Sequence, residues 1–265
     1  MIIVNKKLGW GGNVLDMKKE KPVEVSSEET KPAEGVEIKE PEIPKREMLF
    51  LDIFGEIRRP MVQELVRTLR PSVEETKIKR LFISFCSNGG DVSHAYHIDN
   101  IIKSWSGSSV AICGSINASG STLLIAKRDL RLSWSNARFM LHDIYGINDG
   151  SIAQQEEVLR TTKEERNNII QDYMDYVGLT KKEIEKILRM DTYFNAYEAL
   201  NLGTKGLIDG IIIKMLGDFK VLVEMRNGIQ KTIDLHDDDF ISVKDLTVAT
   251  VVQAKIDAEN KSAEI

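Results

Sequence analysis

A chain of 265 residues with 42% hydrophobic content can bury a sizeable core and is not disordered as a whole. Its 36 basic and 41 acidic residues leave a net charge of −5, which favours solubility and offers no electrostatic footprint for nucleic acid or an anionic membrane. No apolar run approaches the roughly 20 residues that span a bilayer, and the first residues lack a signal peptide's order of charge and apolar core. Cys86 and Cys113 both sit in apolar runs, where a buried, reduced thiol is the usual occupant, so a cytoplasmic, reducing setting is expected.

Residues 18–47 are rich in Lys and Glu, hold four of the six prolines (Pro22, Pro32, Pro41, Pro44) and contain no aromatic residue. Such a stretch cannot offset its conformational entropy by burial and reads as a solvated linker. Gly9-Trp10-Gly11-Gly12, with Val14 and Leu15, reads as a short docking peptide on that tether or as a frayed terminus. Regular structure is expected to begin with a strand at 48–55. A helix over 61–69 follows, with Val62, Leu65, Val66 and Leu69 on one face and Pro60 just ahead of it. The next strand covers 79–86. After Gly89-Gly90 comes an amphipathic helix carrying Val92, Ala95, Tyr96, Ile98, Ile101 and Ile102, then a strand at 109–113. Strands alternating with helices in this way predict an α/β domain with parallel pairing.

The unit recurs, with a helix over 119–126 and strands at 130–134 and 138–141. A long helix over 151–176 has a strongly charged middle, as expected of a helix that projects into solvent or meets another subunit. Thr180-Lys181-Lys182-Glu183 is a capping box opening the next helix, and residues 195–202, closed by Gly203, make another before a strand at 207–213. Residues 219–225 and 229–235 alternate around Asn227-Gly228, the strongest short-range hairpin signal. Three regions result: a disordered tail and linker at 1–47, the main domain at 48–213, and a hairpin extension with a fraying tail at 214–265.

Three short stretches carry chemistry, each after a strand-like run: Ser87-Asn88-Gly89-Gly90, Asn117-Ala118-Ser119-Gly120 and Phe139-Met140-Leu141-His142. The Gly-Gly pair reads as a tight turn or as a place where backbone N–H groups approach a ligand unobstructed. Ser119 lies at a strand-to-helix junction, as an N-cap or as an exposed hydroxyl beside unpaired N–H groups. His142 stands at a strand end, placed to leave the core for a cleft. Asp191 is the candidate third member, to accept the His142 Nδ1–H and stabilise the imidazolium formed when Ser119 loses its proton. Together these are the parts of an acyl-transfer site. His94 and His97 compete for the base role, but they lie on a helix without carboxylate or cysteine partners at metal-ligand spacing, so neither a metal nor another cofactor is expected.

Cys-Ser-Asn-Gly-Gly, Ile-Cys-Gly-Ser-Ile-Asn-Ala-Ser, Asn-Ala-Arg-Phe-Met-Leu-His and Asp-Thr-Tyr-Phe-Asn-Ala-Tyr-Glu-Ala, with Gly-Leu-Ile-Asp-Gly-Ile, resemble the ClpP family of serine peptidases over residues 48–213. The resemblance implies a ClpP/crotonase-like spiral of ββα units with the 151–176 helix as a projecting handle. It implies Ser119, His142 and Asp191 as the catalytic triad, and Gly90 and Gly120 as the oxyanion-hole donors. Asn88 stands where the family has proline, and the segment from Ser119 to His142 is slightly shorter than the family's; a register matched at Gly114 would instead put Ala118 at the nucleophile. The function implied is a serine endopeptidase acting on unfolded or tethered protein segments, assembled as a homo-oligomeric ring and served by an ATP-dependent unfoldase. Two other readings are a catalytically inactive assembly protein of the same fold and a crotonase-like acyl-CoA enzyme, which would not need the three side chains to converge.

Overall fold

The computed structural model describes residues 48–74, 79–105, 107–146, 149–217 and 219–235; the expected tail and linker at 1–47 lie outside these. Among the described residues nine strands form one sheet. In chain order they are β1 (Met48–Ile57), β2 (Arg80–Gly90), β3 (Ser108–Ala118), β4 (Leu130–Trp134), β5 (Arg138–Leu141), β6 (Thr192–Asn195), β7 (Gly210–Met215), β8 (Lys220–Glu224) and β9 (Gln230–Asp234). Helices α1 (Arg59–Glu74), α2 (Val92–Lys103), α3 (Gly120–Ala126), α4 (Ile152–Val177), α5 (Lys181–Leu188) and α6 (Ala196–Leu200) connect them. The main path runs β1-β2-β3-β4-β7-β8-β9, parallel from β1 to β7. No helix of the described residues is long and apolar enough to cross a membrane.

The parallel strands are near-continuous apolar runs because both faces are covered. Leu81, Ile83 and Phe85 point into a core built with the helices, and Phe82, between them, points to the opposite face. There it meets Val110, Leu132 and Ile212, together with Val221, Val223 and Ile233 of the β8–β9 hairpin. The Asn227-Gly228 signal is realised with positive φ at both residues, 68° and 72°. The hairpin continues the sheet, and the buried Arg226 guanidinium fastens its turn to the main-chain carbonyls of Leu200, Leu202, Gly203 and Thr204.

One feature positions the site. The long strand β3 forks: Val110–Cys113 pair with β4, whereas Ile116–Ala118 pair with β5. The far side of β5 then pairs antiparallel with β6, an element the sequence reading passed over because four residues between two helical segments carry almost no periodic signal. A buried ion pair braces the branch opposite. The Arg131 guanidinium bonds the Asp209 carboxylate and the carbonyls of Tyr176 and Gly206, so residues 207–209 form a turn and β7 starts three residues later than expected.

Capping boxes at Ser151/Gln154, Thr180/Glu183 and Asn195/Glu198 open α4, α5 and α6. Only the last third of α4 is buried, through Ile169, Ile170, Tyr173 and Val177; Ile152, Val158 and Leu159 nearer its start are exposed. The charged middle of this helix is therefore a solvent-facing projection in the single chain.

Candidate active site

Strand β2 ends in Gly89 and Gly90 with φ of 84° and 152°, conformations that side chains rarely adopt. A Cβ on Gly89 would fall 2.6 Å from Ser119 Cβ and 2.9 Å from Gly120 N, so the absence of a side chain lets the β2 tip lie against the start of α3. A Cβ on Gly120 would stand 3.9 Å from Gly90 N. The two main-chain N–H groups therefore belong to one small region. The Gly120 N–H, in the first turn of α3, has no intrahelical acceptor. Ser87 braces the turn from beneath, donating to Gly55 O at 2.5 Å and accepting from Gly89 N at 3.1 Å.

Ser119 adopts φ 54°, ψ −130°, a strained conformation for a residue with a side chain, and its hydroxyl makes no capping hydrogen bond. The cost is of order 1–3 kcal/mol, which the surrounding packing must offset. The N-cap reading of Ser119 thus fails in its usual form, since the hydroxyl is left unspent beside the helix N-terminus. Ala118, the residue the alternative register would favour, is buried in the last pair of the β3–β5 ladder. The turn is pinned by Ser119 N–H donating to Met140 O at 2.8 Å, which ties the hydroxyl-bearing residue to the strand that leads into His142.

His142 follows β5 and, with Ser119, Gly90 and Gly120, lines a cleft of about 720 Å³. Leu123, Ile169 and Tyr173 form its apolar side. Buried Tyr173 is hydrogen-bonded to the Thr122 hydroxyl at 2.8 Å, and burial pushes its phenol above the usual range. Carboxylates ring the opening. Asp91 caps α2, accepting from Ser93 Oγ and His94 N, bonds that hold it below the ordinary carboxylate range despite some burial. Asp143 is held by both oxygens to Arg166 of α4, fixing the segment after His142 against that helix. His94 thus sits in the first turn of α2, and His97 on its exposed face.

Asp191 lies outside the cleft lining, but the β5–β6 register brings it close. Leu141 pairs with Thr192, the last pair of the ladder, and His142 and Asp191 are the next residues beyond it on the two strands. The bond expected between the two side chains is nevertheless not made. Asp191 Oδ1 accepts a 2.8 Å bond from the Tyr145 hydroxyl, and His142 Nδ1 is buried with no hydrogen-bond partner. Tyr145 stacks on the His142 ring at a centroid separation of 4.6 Å. The sequence reading missed Tyr145, although its place three residues after His142 was the available signal.

The two thiols do not take part in this geometry. Cys113 is fully buried, which pushes its thiol up, and Cys86 contacts Ser115 Oγ at 3.2 Å; both are free. A cleft lined by an unspent hydroxyl on a strained turn, an imidazole and the neighbouring main chain of Gly90 and Gly120 is suited to acyl transfer. The family model described as Clp protease matches residues 43–215, more than half of the chain and all of the site. The chain belongs to the Clp protease family.

Proposed function

We propose that this protein is a ClpP-like serine endopeptidase that cleaves unfolded or tethered protein segments. The observation that carries the reading is the strained Ser119, its hydroxyl unspent, facing the cleft shared with His142 and the Gly90 and Gly120 N–H groups. In the reaction Ser119 Oγ attacks the peptide carbonyl and its proton passes to His142 Nε2. The negative charge that develops on the carbonyl oxygen is met by the Gly90 and Gly120 N–H groups, each worth about 3 kcal/mol of barrier. Collapse of the tetrahedral species sends the proton from His142 to the leaving amine, and water then hydrolyses the acyl-enzyme by the same steps in reverse. Asp191 orients His142 and stabilises its charged form.

Membership of the family supports an assembly into a homo-oligomeric ring served by an ATP-dependent unfoldase. The exposed apolar residues Ile152, Val158 and Leu159 on the projecting part of α4 are consistent with a handle that meets another copy of the chain. Two free thiols fit a cytoplasmic, reducing setting.

A fluorophosphonate tests the reading directly. The wild-type assembly should be labelled at Ser119 and should cleave an unfolded protein, and Ser119→Ala should do neither while keeping its assembly state. Absence of labelling in an assembled wild-type sample would refute it in favour of the non-catalytic reading. Cleavage retained by Ser119→Ala would displace the nucleophile. The register neighbourhood of His142 and Asp191 favours the peptidase over a crotonase-like enzyme, which has no use for that pairing.

A further inference from the structure

His142 Nδ1 is buried and without a partner, although Asp191, whose carboxylate could accept its proton, is the residue next to the Thr192 that pairs with Leu141. That carboxylate is engaged elsewhere, by the Tyr145 hydroxyl. Tyr145 is 74% exposed, so burial of its ring does not hold it; its place is set by the bond to Asp191 and by stacking on His142, with ring planes 21° apart. A relay through the phenol is geometrically excluded, because an Nδ1–H points along the imidazole plane whereas a stacked ring lies above that plane. Tyr145 and His142 therefore flank one carboxylate, and of the two only Tyr145 bonds it, at Oδ1, fixing the direction in which that carboxylate points.

We propose that Tyr145 is a positioning residue that latches the triad open, its hydroxyl holding Asp191 away from His142 until the cleft is occupied. The inference rests on the serine-peptidase reading and adds to it a control of the same site. Tyr145 lines the cleft alongside Ser119, Gly90 and His142, whereas Asp191 does not, so a peptide chain entering the cleft meets the latch before it meets the carboxylate. Displacement of the phenol frees Asp191 Oδ1 to turn toward His142, the two residues being the next ones beyond the last pair of the β5–β6 ladder. The anchored partner is His142: Asp143 next to it is clamped to Arg166 and also accepts from Ile144 N, leaving Tyr145 as the movable side. The charged and titratable groups facing the pair are Asp143 and Arg166 on one side, Asp191 and Tyr193 on the other and Glu165 across the cleft.

Tyr145→Phe keeps the ring on His142 and deletes only the hydroxyl, and at so exposed a position it leaves folding intact. Two readouts are needed in the full-length protein. The first is the pH titration of His142 by NMR of isotope-labelled histidine, assigned with His142→Gln. The second is the fluorophosphonate labelling rate, measured across the same pH range. With the latch removed, Asp191 engages the imidazolium, raising the proton affinity of His142 about tenfold. Labelling should accelerate by a similar factor, and Tyr145→Phe/Asp191→Asn should show neither change. Identical titration in wild type and Tyr145→Phe would overturn the proposal, as would slower labelling of Tyr145→Phe or a shift that persists without Asp191. Failure of the peptidase reading looks different: no variant is labelled, while the titration still reports whether Asp191 reaches His142.

Discussion

Replacing Gly89 with alanine should disable the site without dismantling the fold. The added Cβ would lie 2.5 Å from Ala118 O and 2.6 Å from Ser119 Cβ, where ordinary contact begins at 3.4 Å, so the β2 tip and the Ser119 turn must part by about 0.8 Å. A misplacement of about 1 Å in a catalytic group lowers rate by on the order of a hundredfold. Left-handed φ at a residue with a side chain adds about 1–2 kcal/mol of destabilisation. Gly217→Ala separates the two effects, because Gly217 has a matching φ of 86° and open space where its Cβ would go. Peptide hydrolysis and thermal unfolding should be measured on both. Gly217→Ala should lose about 1 kcal/mol and keep full kcat/KM, whereas Gly89→Ala should lose somewhat more stability and about two orders of magnitude in kcat/KM. If Gly89→Ala keeps kcat/KM within twofold of wild type, the close approach of Gly89 to Ser119 is irrelevant to chemistry and the argument for this site collapses.

Two further outcomes concern the frame. Arg131→Met strands the buried Asp209 carboxylate and should cost about 3–5 kcal/mol in denaturant unfolding, while Arg131→Met/Asp209→Leu should recover much of it; equal losses in the single and double variants would mean the charge pair is not what the site needs. Asp91 has a folded-state pKa held down by its bonds to Ser93 and His94 N, so its contribution is present above the unfolded carboxylate pKa and is lost as pH falls through the folded value. Asp91→Ala should therefore lower stability by about 1 kcal/mol at neutral pH and flatten the melting-temperature profile below about pH 4, and parallel profiles would remove Asp91 as the source.

Features set by immediate neighbours were legible in the chain. The Thr180-x-x-Glu183 box opens α5, Asn227-Gly228 turns the last hairpin, and the Gly89-Gly90 pair ends a buried strand, because each depends on bonds within a few residues. Residue types and their order likewise pointed to Ser119, His142 and Asp191, and through the resemblance to Gly90 and Gly120. Less visible was β6, four residues long and defined only by its partner β5.

What the sequence by itself determined, then, is the set of local conformations and the chemical inventory of the cleft. Tertiary structure alone decided how they meet. The fork in β3 hands Ile116–Ala118 to β5, and a hydrogen bond from Ser119 to Met140 bends the serine turn toward the strand carrying His142. The β5–β6 ladder ends one residue short of that histidine and of Asp191, bringing together residues with 48 others between them in the chain, and Tyr145 bonds the carboxylate. Such contacts join segments far apart in sequence, so their geometry comes from long-range ladder pairing and packing, and no local pattern of residues encodes it.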